Sequence, residues 1–426
     1  MEQIRLPTGE KLYQDQLANG LTVFILPKPQ FLRTYAVLST NYGSIDSQFK
    51  IPKRGLVEVP PGIAHFLEHK LFEEEDGNAF DRFAQWGASV NAFTSYTQTS
   101  YLFSTIEGWQ EALIELINFV NNPYLTEENV EKEKGIIEQE LRMYEDHPDH
   151  RIHSMLLENL YHANPVRIDI GGTVESVWAI TVQELLGCYH TFYQPSNMAL
   201  AVVGDVNPEE TLSLIRQHYP TWEHGQGAIE RFYPQEPVSV VHPWVEETLN
   251  ISRPRYLLGF KHEPKWQGEE LLRQQIIMSL VWRLVAGRSS QFFEDLYTSN
   301  LVNDSFGASF SSSPQFAYSI IGSETEKPER LHEELSKIIK KLQTEPLSTT
   351  DIERLKRRIY GGHLASYDSF EYVANRLISH HFSQTPYHRF LELVRDVKVE
   401  EVQTALNTEL DWDRSTVAVL RPVHRS

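Results

Sequence analysis

The residues best suited to chemistry lie in Pro60–Glu74, which reads PPGIAHFLEHKLFEE. Apolar residues recur there at helical spacing, and Pro61 suits the first position of a helix, so the segment predicts a helix. On this helix His65 and His69 lie one turn apart on one face, about 6 Å along the axis, so that both imidazoles can bind one metal ion. Glu68 lies beside them on that face.

The order of these residues is H-x-x-E-H, the inverse of the commoner zincin motif and the signature of inverzincins. A hydrogen-bonded cluster of buried side chains is the alternative to a metal site. The motif has apolar flanks, which predict burial, and buried His and Glu side chains need partners in either case.

A catalytic zinc ion takes three protein ligands and leaves the fourth position to water. The chain has one cysteine, Cys188, which excludes both a thiolate cage and an internal disulfide. The third ligand must therefore be an acid or a histidine from another part of the chain.

Candidates for the third ligand lie in the acidic segment Glu131–Asp146. Glu133 and Glu140 are separated by two helical turns and share one helical face, which would present both to the same site. A solvated acidic face gives the same spacing, and the spacing alone does not separate these interpretations.

His150 and His153 form another pair that could bind a metal. Their neighbours are charged and no Glu base accompanies them, so a surface position is favoured.

The elements that must position these residues are strands alternating with helices. An apolar stripe from Trp109 to Val120 follows the 3.6-residue period of an amphipathic helix. Short runs of β-branched and aromatic residues, bounded by turn residues, predict strands. These runs are Thr22–Pro27, Thr34–Thr40, Thr99–Ile106, Met198–Gly204, Arg255–Lys261, Ser305–Ser311, Phe316–Gly322 and Thr416–Pro422.

The helical stripe has a second copy at a constant offset of 222 residues, since the pattern that begins at Trp109 begins again at Leu331. The offset continues beyond the helix, because Leu125–Lys134 falls on Leu347–Lys356. Two amphipathic helices of similar length can align by chance. A shared turn and a shared following helix at the same offset favour duplication.

A duplication of this length predicts two homologous domains. The Gly- and Pro-containing segment Thr221–Pro237 is the candidate boundary, which gives domains 1–225 and 238–426 with a linker at about 226–237. The predicted fold class is α+β, in α/β layers, each domain being a mostly antiparallel sheet packed with helices. The length of 426 residues agrees, since about 150 residues per domain gives two to three domains.

Composition excludes several classes of partner. The formal net charge is −19, and so acidic a surface repels phosphate backbones and anionic lipid. Hydrophobic residues make up 41% and charged residues 23%, as in folded globular proteins. We therefore expect neither nucleic acid nor membrane as a partner. No signal pattern opens the sequence and no apolar run is long enough to span a membrane, so we expect a cytoplasmic protein.

Three motifs in this order resemble the pitrilysin and insulin-degrading-enzyme family of zinc peptidases. They are HFLEH at 65–69, GASVNAFTSYTQTSY at 87–101 and EKGIIEQE at 133–140. The half-length chain is similar to mitochondrial processing peptidase, and most similar to the bacterial YmfH-like subgroup. The resemblance covers nearly the whole chain. It implies a zinc-dependent endopeptidase that cleaves peptides or unfolded polypeptide segments.

The resemblance also implies roles for individual residues. His65, His69 and Glu140 would bind one Zn²⁺ per chain, and Glu68 would be the general base. Glu133 would orient one of the ligands.

A third part of the resemblance concerns substrate binding. Asn91, Ala92 and Phe93 would belong to an edge strand to which a substrate adds as a further strand. An ordinary sheet edge is the alternative interpretation of this run, and only the neighbouring metal site favours substrate binding.

The second domain departs from the family pattern. Family members that act as one chain carry an Arg and a Tyr seven residues apart in the second copy, and these stabilise the oxyanion. The corresponding positions here are Tyr297 and Asp304, and no Arg lies between Arg288 and Arg330. The counterpart of the metal helix, Val281–Gly287, has no metal ligands.

These departures predict an incomplete active site. We expect the chain to be the zinc-bearing subunit of a heterodimer whose homologous partner supplies the Arg/Tyr pair. A homodimer is the alternative assembly. The alternative function is a non-catalytic structural or peptide-binding subunit of a complex similar to the processing peptidase.

Overall fold

A computed structural model of the chain describes residues 1–51, 55–75, 77–220 and 228–423. Residues 226 and 227 of the predicted linker lie outside this description. Runs of strands alternate with runs of helices along the chain. Within the described ranges no helix is both long enough and apolar enough to cross a membrane.

The strands are two to eight residues long. In chain order they are β1 Glu2–Arg5, β2 Lys11–Gln16, β3 Thr22–Pro27, β4 Thr34–Thr40, β5 Gln48–Ile51, β6 Gly55–Glu58, β7 Glu73–Glu74, β8 Gly77–Asn78, β9 Ser89–Thr94, β10 Thr99–Thr105, β11 Met198–Gly204, β12 Glu230–Arg231, β13 Trp244–Leu249, β14 Arg255–His262, β15 Gly307–Ser312, β16 Ala317–Glu324 and β17 Ser415–Pro422.

The helices are mostly amphipathic. In chain order they are α1 Ile63–Leu71, α2 Ala79–Gln85, α3 Trp109–Asn121, α4 Glu127–Glu145, α5 Pro148–Leu160, α6 Val174–Ala179, α7 Val182–Phe192, α8 Pro208–His218, α9 Gly268–Ala286, α10 Gln291–Thr298, α11 Pro328–Thr344, α12 Thr349–Ser366, α13 Phe370–Phe382, α14 Phe390–Asp396 and α15 Val399–Glu409.

The chain packs into two compact units, and each unit combines segments from both halves of the sequence. The segments of unit 1 are Met1–Leu141, Asp169–Tyr233 and Leu364–Phe382. Those of unit 2 are Arg142–Ile168, Pro234–His363 and Ser383–Ser426. The predicted domains 1–225 and 238–426 therefore describe the sequence repeat, and their bounds stay a prediction.

Unit 1 is built on a seven-stranded sheet in the order β1-β2-β3-β11-β4-β10-β9. Neighbouring strands are antiparallel except for the parallel pair β3 and β11. All residues of β4 and β11 are buried, as expected for central strands covered on both faces. Helix α13 packs on β11 and β4, while α1 and α3 pack on β10. The strand β9 forms one edge of this sheet.

Unit 2 is built on a five-stranded sheet in the order β13-β17-β14-β16-β15. Again one pair is parallel, β13 with β17, and the other neighbours are antiparallel. This order matches β3-β11-β4-β10-β9 of unit 1, strand for strand. A duplicated chain is expected to give such a match. The predicted α+β class with mostly antiparallel sheets is confirmed.

Two predicted boundaries were wrong because of a turn. The predicted strand from Ser305 begins at Gly307, because the side-chain oxygen of Asn303 accepts a hydrogen bond from the backbone N–H of Ser305 (2.8 Å) and holds a turn there. Helix α1 begins at Ile63 and not at Pro61, because Gly62 has φ +89° and cannot continue a right-handed helix.

We predict that Gly62→Ala destabilises the protein by more than about 2 kcal/mol, because the new Cβ would overlap the carbonyl oxygen of Gly171. Gly9→Ala is the matched control, since Gly9 also has φ +89° but a Cβ added there would meet no atom within 4 Å. It should cost only the conformational strain, about 1 kcal/mol. Urea unfolding monitored by circular dichroism gives both values. Equal losses would contradict the steric explanation.

Candidate metal centre

Helix α1 presents its two histidines because its other face is buried. Ile63, Phe66 and Leu67 are at most 3% exposed and belong to the core of unit 1. Burial of these side chains fixes the rotation of the helix, so His65 and His69 both face away from the core. Their ring centroids are 4.6 Å apart.

The third residue of the cluster comes from α4. The Nε2 atom of His69 lies 3.3 Å from Oε2 of Glu140, and the Nε2 atom of His65 lies 3.9 Å from Oε1 of Glu140. His65, His69 and Glu140 each offer one potential metal-ligand atom, and these three atoms lie within 4.8 Å of one another. Ligand atoms of a tetrahedral zinc ion with bonds of 2.0 to 2.1 Å are about 3.4 Å apart. Two imidazoles and a carboxylate at these separations therefore fit a zinc ion.

No other part of the described chain brings three potential metal ligands of this kind together. His150 and His153 lie on α5 and form no such group, and His150 stacks on Tyr144 with ring centroids 4.8 Å apart. Glu138, on α4, accepts a hydrogen bond from the indole of Trp178 (2.7 Å) and is not part of the cluster.

Glu133 lies behind the second histidine. Its Oε1 accepts a hydrogen bond from Nδ1 of His69 at 3.0 Å, and this leaves Nε2 of His69 to face Glu140. A carboxylate in this position fixes the tautomer and the orientation of a metal-binding imidazole.

The two imidazoles differ in their electrostatic surroundings. Burial lowers the pKa of His65 to about 4, and the neighbouring His69 acts in the same direction. Burial also acts to lower the pKa of His69, but the hydrogen bonds with Glu133 and Glu140 outweigh it and raise that pKa to about 9. His65 is therefore neutral and His69 protonated at pH 7, and a metal ion bound by both imidazoles would have to displace the proton of His69.

Glu68 lies next to the cluster on α1. Burial raises the pKa of its carboxyl group above the ordinary value, while a hydrogen bond from the hydroxyl of Thr94 (2.6 Å) acts against this shift. A carboxylate whose pKa is moved towards neutrality is suited to both accept and return a proton. Thr94 cannot be singled out from the sequence, because a single threonine in a strand shows no pattern that sets it apart.

The predicted substrate-binding residues Asn91, Ala92 and Phe93 lie on the edge strand β9. Within the described residues β9 pairs only with β10, so its other side is available to a further strand. The side-chain oxygen of Asn91 accepts a hydrogen bond from the backbone N–H of Ala92 (2.9 Å). The strand ends at Thr94, the residue that contacts Glu68, so this edge runs directly to the site.

Unit 2 has different side chains at the positions singled out in the sequence. Val281–Gly287 forms the end of α9 and its C-cap. Tyr297 is exposed on α10 and stacks on Phe293 with ring centroids 5.5 Å apart. Asp304 accepts a hydrogen bond from the guanidinium of Arg288 (2.8 Å). None of these positions carries a metal ligand or the Arg/Tyr pair.

Two family models match the chain. The model described as insulinase, peptidase family M16, matches residues 58–174, which contain the cluster. The model described as the peptidase M16 inactive domain matches residues 179–359.

Relatives match over nearly full length. The chain is 41% identical over 417 residues to an uncharacterized zinc protease, YmfH, of Bacillus subtilis (strain 168), with 97% of each chain covered. It is 24% identical to the zinc protease PqqE of Helicobacter pylori, with 99% of this chain and 94% of the relative covered.

Solved structures share the fold. An M16-like peptidase from Alicyclobacillus acidocaldarius superimposes with a TM-score of 0.95 at 34% identity, covering 99% of this chain and 100% of the other. Pitrilysin superimposes with a TM-score of 0.75 at 17% identity, covering 100% of this chain and 47% of pitrilysin. The latter likeness concerns the fold alone.

We predict that zinc binding at about pH 7 releases close to one proton, because His69 holds a proton below its pKa of about 9 and His65 does not. The apparent zinc affinity should therefore rise about tenfold per pH unit between pH 7 and pH 9 and level off above. Calorimetric titration in buffers of different ionisation enthalpy measures the released proton. Glu133→Gln removes one of the hydrogen bonds that raise the pKa of His69. In this variant the pH range over which zinc affinity rises should therefore lie at lower pH. An affinity that is constant over this range would contradict the assignment.

Proposed function

Because this chain belongs to the insulinase family, peptidase family M16, we propose that it is a zinc-dependent endopeptidase of the inverzincin type. Its substrates are peptides or unfolded segments of polypeptides. The observation that carries the proposal is the approach of Nε2 of both His65 and His69 to the carboxylate of Glu140, with Glu68 beside them. The names of its relatives, which are zinc proteases, support the choice of metal.

In the proposed reaction the zinc ion and the side chain of Glu68 have different roles. A zinc ion bound by His65, His69 and Glu140 would lower the pKa of water and polarise the carbonyl group of the scissile peptide. The carboxylate of Glu68 takes the proton of the attacking water and gives it to the leaving amine. Its raised pKa suits this double task, because the group must hold the proton between the two transfers.

A substrate would bind to β9 as an additional strand. Backbone groups on the outer side of Asn91, Ala92 and Phe93 would then hydrogen-bond to the substrate backbone, independently of the substrate sequence. An extended conformation is required, which favours peptides and unfolded segments over folded proteins. Since β9 ends at Thr94, whose hydroxyl donates to Glu68, a peptide added to this edge would pass close to the general base.

The second part of the proposal concerns a partner subunit. Neither Tyr297 nor Asp304 reproduces the Arg/Tyr pair, so an oxyanion formed at the site lacks those donors. A second copy of this chain would lack them as well, which makes a homodimer the less favoured assembly. We therefore propose a heterodimer with a homologous chain that supplies the pair.

A non-catalytic subunit is the second candidate function. The match of residues 179–359 to the inactive-domain model favours it. That match covers only the part of the chain that follows the metal cluster, and the residues of the cluster fall in the match to the other model. The retained ligands and Glu68 favour the enzyme.

We predict that Glu68→Gln lowers kcat by at least about 100-fold, because the general base is lost while the three ligands remain. Zinc content should stay at about one ion per chain, as measured by atomic absorption. Glu138→Gln is the control, since Glu138 bonds Trp178 outside the cluster, and it should retain wild-type activity. Cleavage is followed with a quenched fluorescent peptide, with and without a chelator. Unchanged turnover by the Glu68→Gln variant would exclude Glu68 as the base.

We also predict that the isolated chain is at least about 100-fold less active than the same chain mixed with a homologous subunit that carries the Arg/Tyr pair. Replacing the Arg of that subunit by Ala should remove the gain without preventing assembly, which size-exclusion chromatography checks. Full activity of the isolated chain would refute the partner part of the proposal. Zinc binding without cleavage in any mixture would favour the non-catalytic subunit.

A further inference from the structure

The residue that follows the second histidine is a lysine with no solvent exposure. Lys70 lies on α1 among apolar residues of the core, and its side chain is 0% exposed. Lysine is almost never fully buried unless it is paired, because taking its charge out of water is costly. The contacts of its ammonium group therefore indicate the structural role of Lys70.

The ammonium group of Lys70 meets oxygen atoms from three residues. It forms an ion pair with Glu73, donates to the backbone carbonyl of Asn129 at 3.3 Å, and lies 3.9 Å from Oε2 of Glu133. An ammonium group has three donors and no acceptor. Here Glu73 and the carbonyl of Asn129 accept hydrogen bonds from it, and the carboxylate of Glu133 lies within ion-pair distance. Two of these three residues belong to α4.

The contact with Glu133 connects Lys70 to the candidate metal centre. One oxygen of this carboxylate, Oε2, faces Lys70, and the other, Oε1, accepts the hydrogen bond from Nδ1 of His69. The carboxylate is therefore held from two sides. Rotation of its side chain would break the contact with Lys70 and the hydrogen bond with His69 together.

The contact with Asn129 joins Lys70 to the first turn of α4. Asn129 lies one turn before Glu133, and its side chain accepts from the backbone N–H of Thr126 (2.9 Å) and donates to the carbonyl of Tyr124 (2.9 Å). Lys70 thus ties α1 to the first turns of the helix that also carries Glu140.

We propose that Lys70 is a positioning residue for the metal centre. It holds Glu133 against His69 and holds α4 against α1, and so keeps the ligands at metal-binding distance. It donates to none of the three ligands itself, and it takes no part in the reaction. The inference rests on the proposed function, since it concerns the same site.

Lys28 offers a matched comparison within unit 1. It is also buried, 5% exposed, and its ammonium group pairs with Glu10 (2.6 Å) and donates to the carbonyl of Tyr367 (2.9 Å). Neither of these partners belongs to the metal centre. Loss of either lysine removes a buried ion pair, but only Lys70 is connected to the centre.

The experiment measures the dissociation constant of Zn²⁺ by competition with a chromophoric chelator. We expect Lys70→Met to weaken zinc binding by about 10- to 100-fold and Lys28→Met to change it less than about twofold. Thermal unfolding of the metal-free proteins, measured in parallel, reports the structural cost of each change. Lys70→Arg should recover most of the affinity. If the Met variant does not fold, Lys70→Gln, which keeps a donor but no charge, makes the same comparison.

A double-mutant cycle that combines Lys70→Met with Glu133→Gln tests whether Lys70 acts on zinc binding through Glu133. Because part of the effect of Lys70 passes through Glu133, the loss of zinc affinity in the double variant should be smaller than the product of the two single losses. The absorption bands of bound Co²⁺ should shift in Lys70→Met as they do in Glu133→Gln. Strictly multiplicative losses, or equal effects of the Lys70 and Lys28 changes on zinc affinity, would overturn the inference. A wild-type chain that binds no zinc would instead refute the proposed function, on which the inference depends.

Discussion

Two histidines on one helix can share a metal ion only if the helix cannot rotate about its axis. Burial of Ile63, Phe66 and Leu67 provides this constraint in α1, and the left-handed turn at Gly62 fixes where the helix begins. Every other part of the site is arranged relative to this fixed face. The carboxylates of Glu133 and Glu140 on α4 contact His69 on this face. Thr94, at the end of β9, donates a hydrogen bond to Glu68 on α1. The apolar residues of α1 therefore determine where the polar side chains of the site lie.

Sequence reasoning found the elements whose patterns are local. Strands such as Thr22–Pro27 and Thr34–Thr40 were correct to the residue, because a short apolar run bounded by turn residues has one strong interpretation. The pairing of His65 with His69 followed from helical geometry alone. The choice of Glu140 needed the resemblance, because an acidic helix face gives the same spacing whether it is solvated or faces a metal.

What the sequence did not reveal depends on contacts between distant segments. The helix that covers β11 and β4 is α13, which lies about 170 residues beyond β11 in the chain, and no periodicity predicts such a contact. The burial of Lys70 was only weakly indicated by the sequence, as a single lysine within an apolar stretch. Its contacts could not be predicted, because two of its partners lie on α4, about 60 residues further along the chain. The boundary errors at Gly62 and Asn303 arose from turns, and the spacing of apolar residues gives no information on the backbone conformation of a turn.

The position of β11 in the seven-stranded sheet has a consequence for biosynthesis. Because β11 lies between β3 and β4, each of these two strands keeps one edge unpaired until residues 198–204 have been made. At about 5 to 20 residues per second, roughly 10 to 40 s separate the synthesis of β3 from that of β11. The covering helix α13 is made later still, near residue 382. The nascent chain is therefore exposed to aggregation for much of its synthesis, and its folding is governed by long-range pairing.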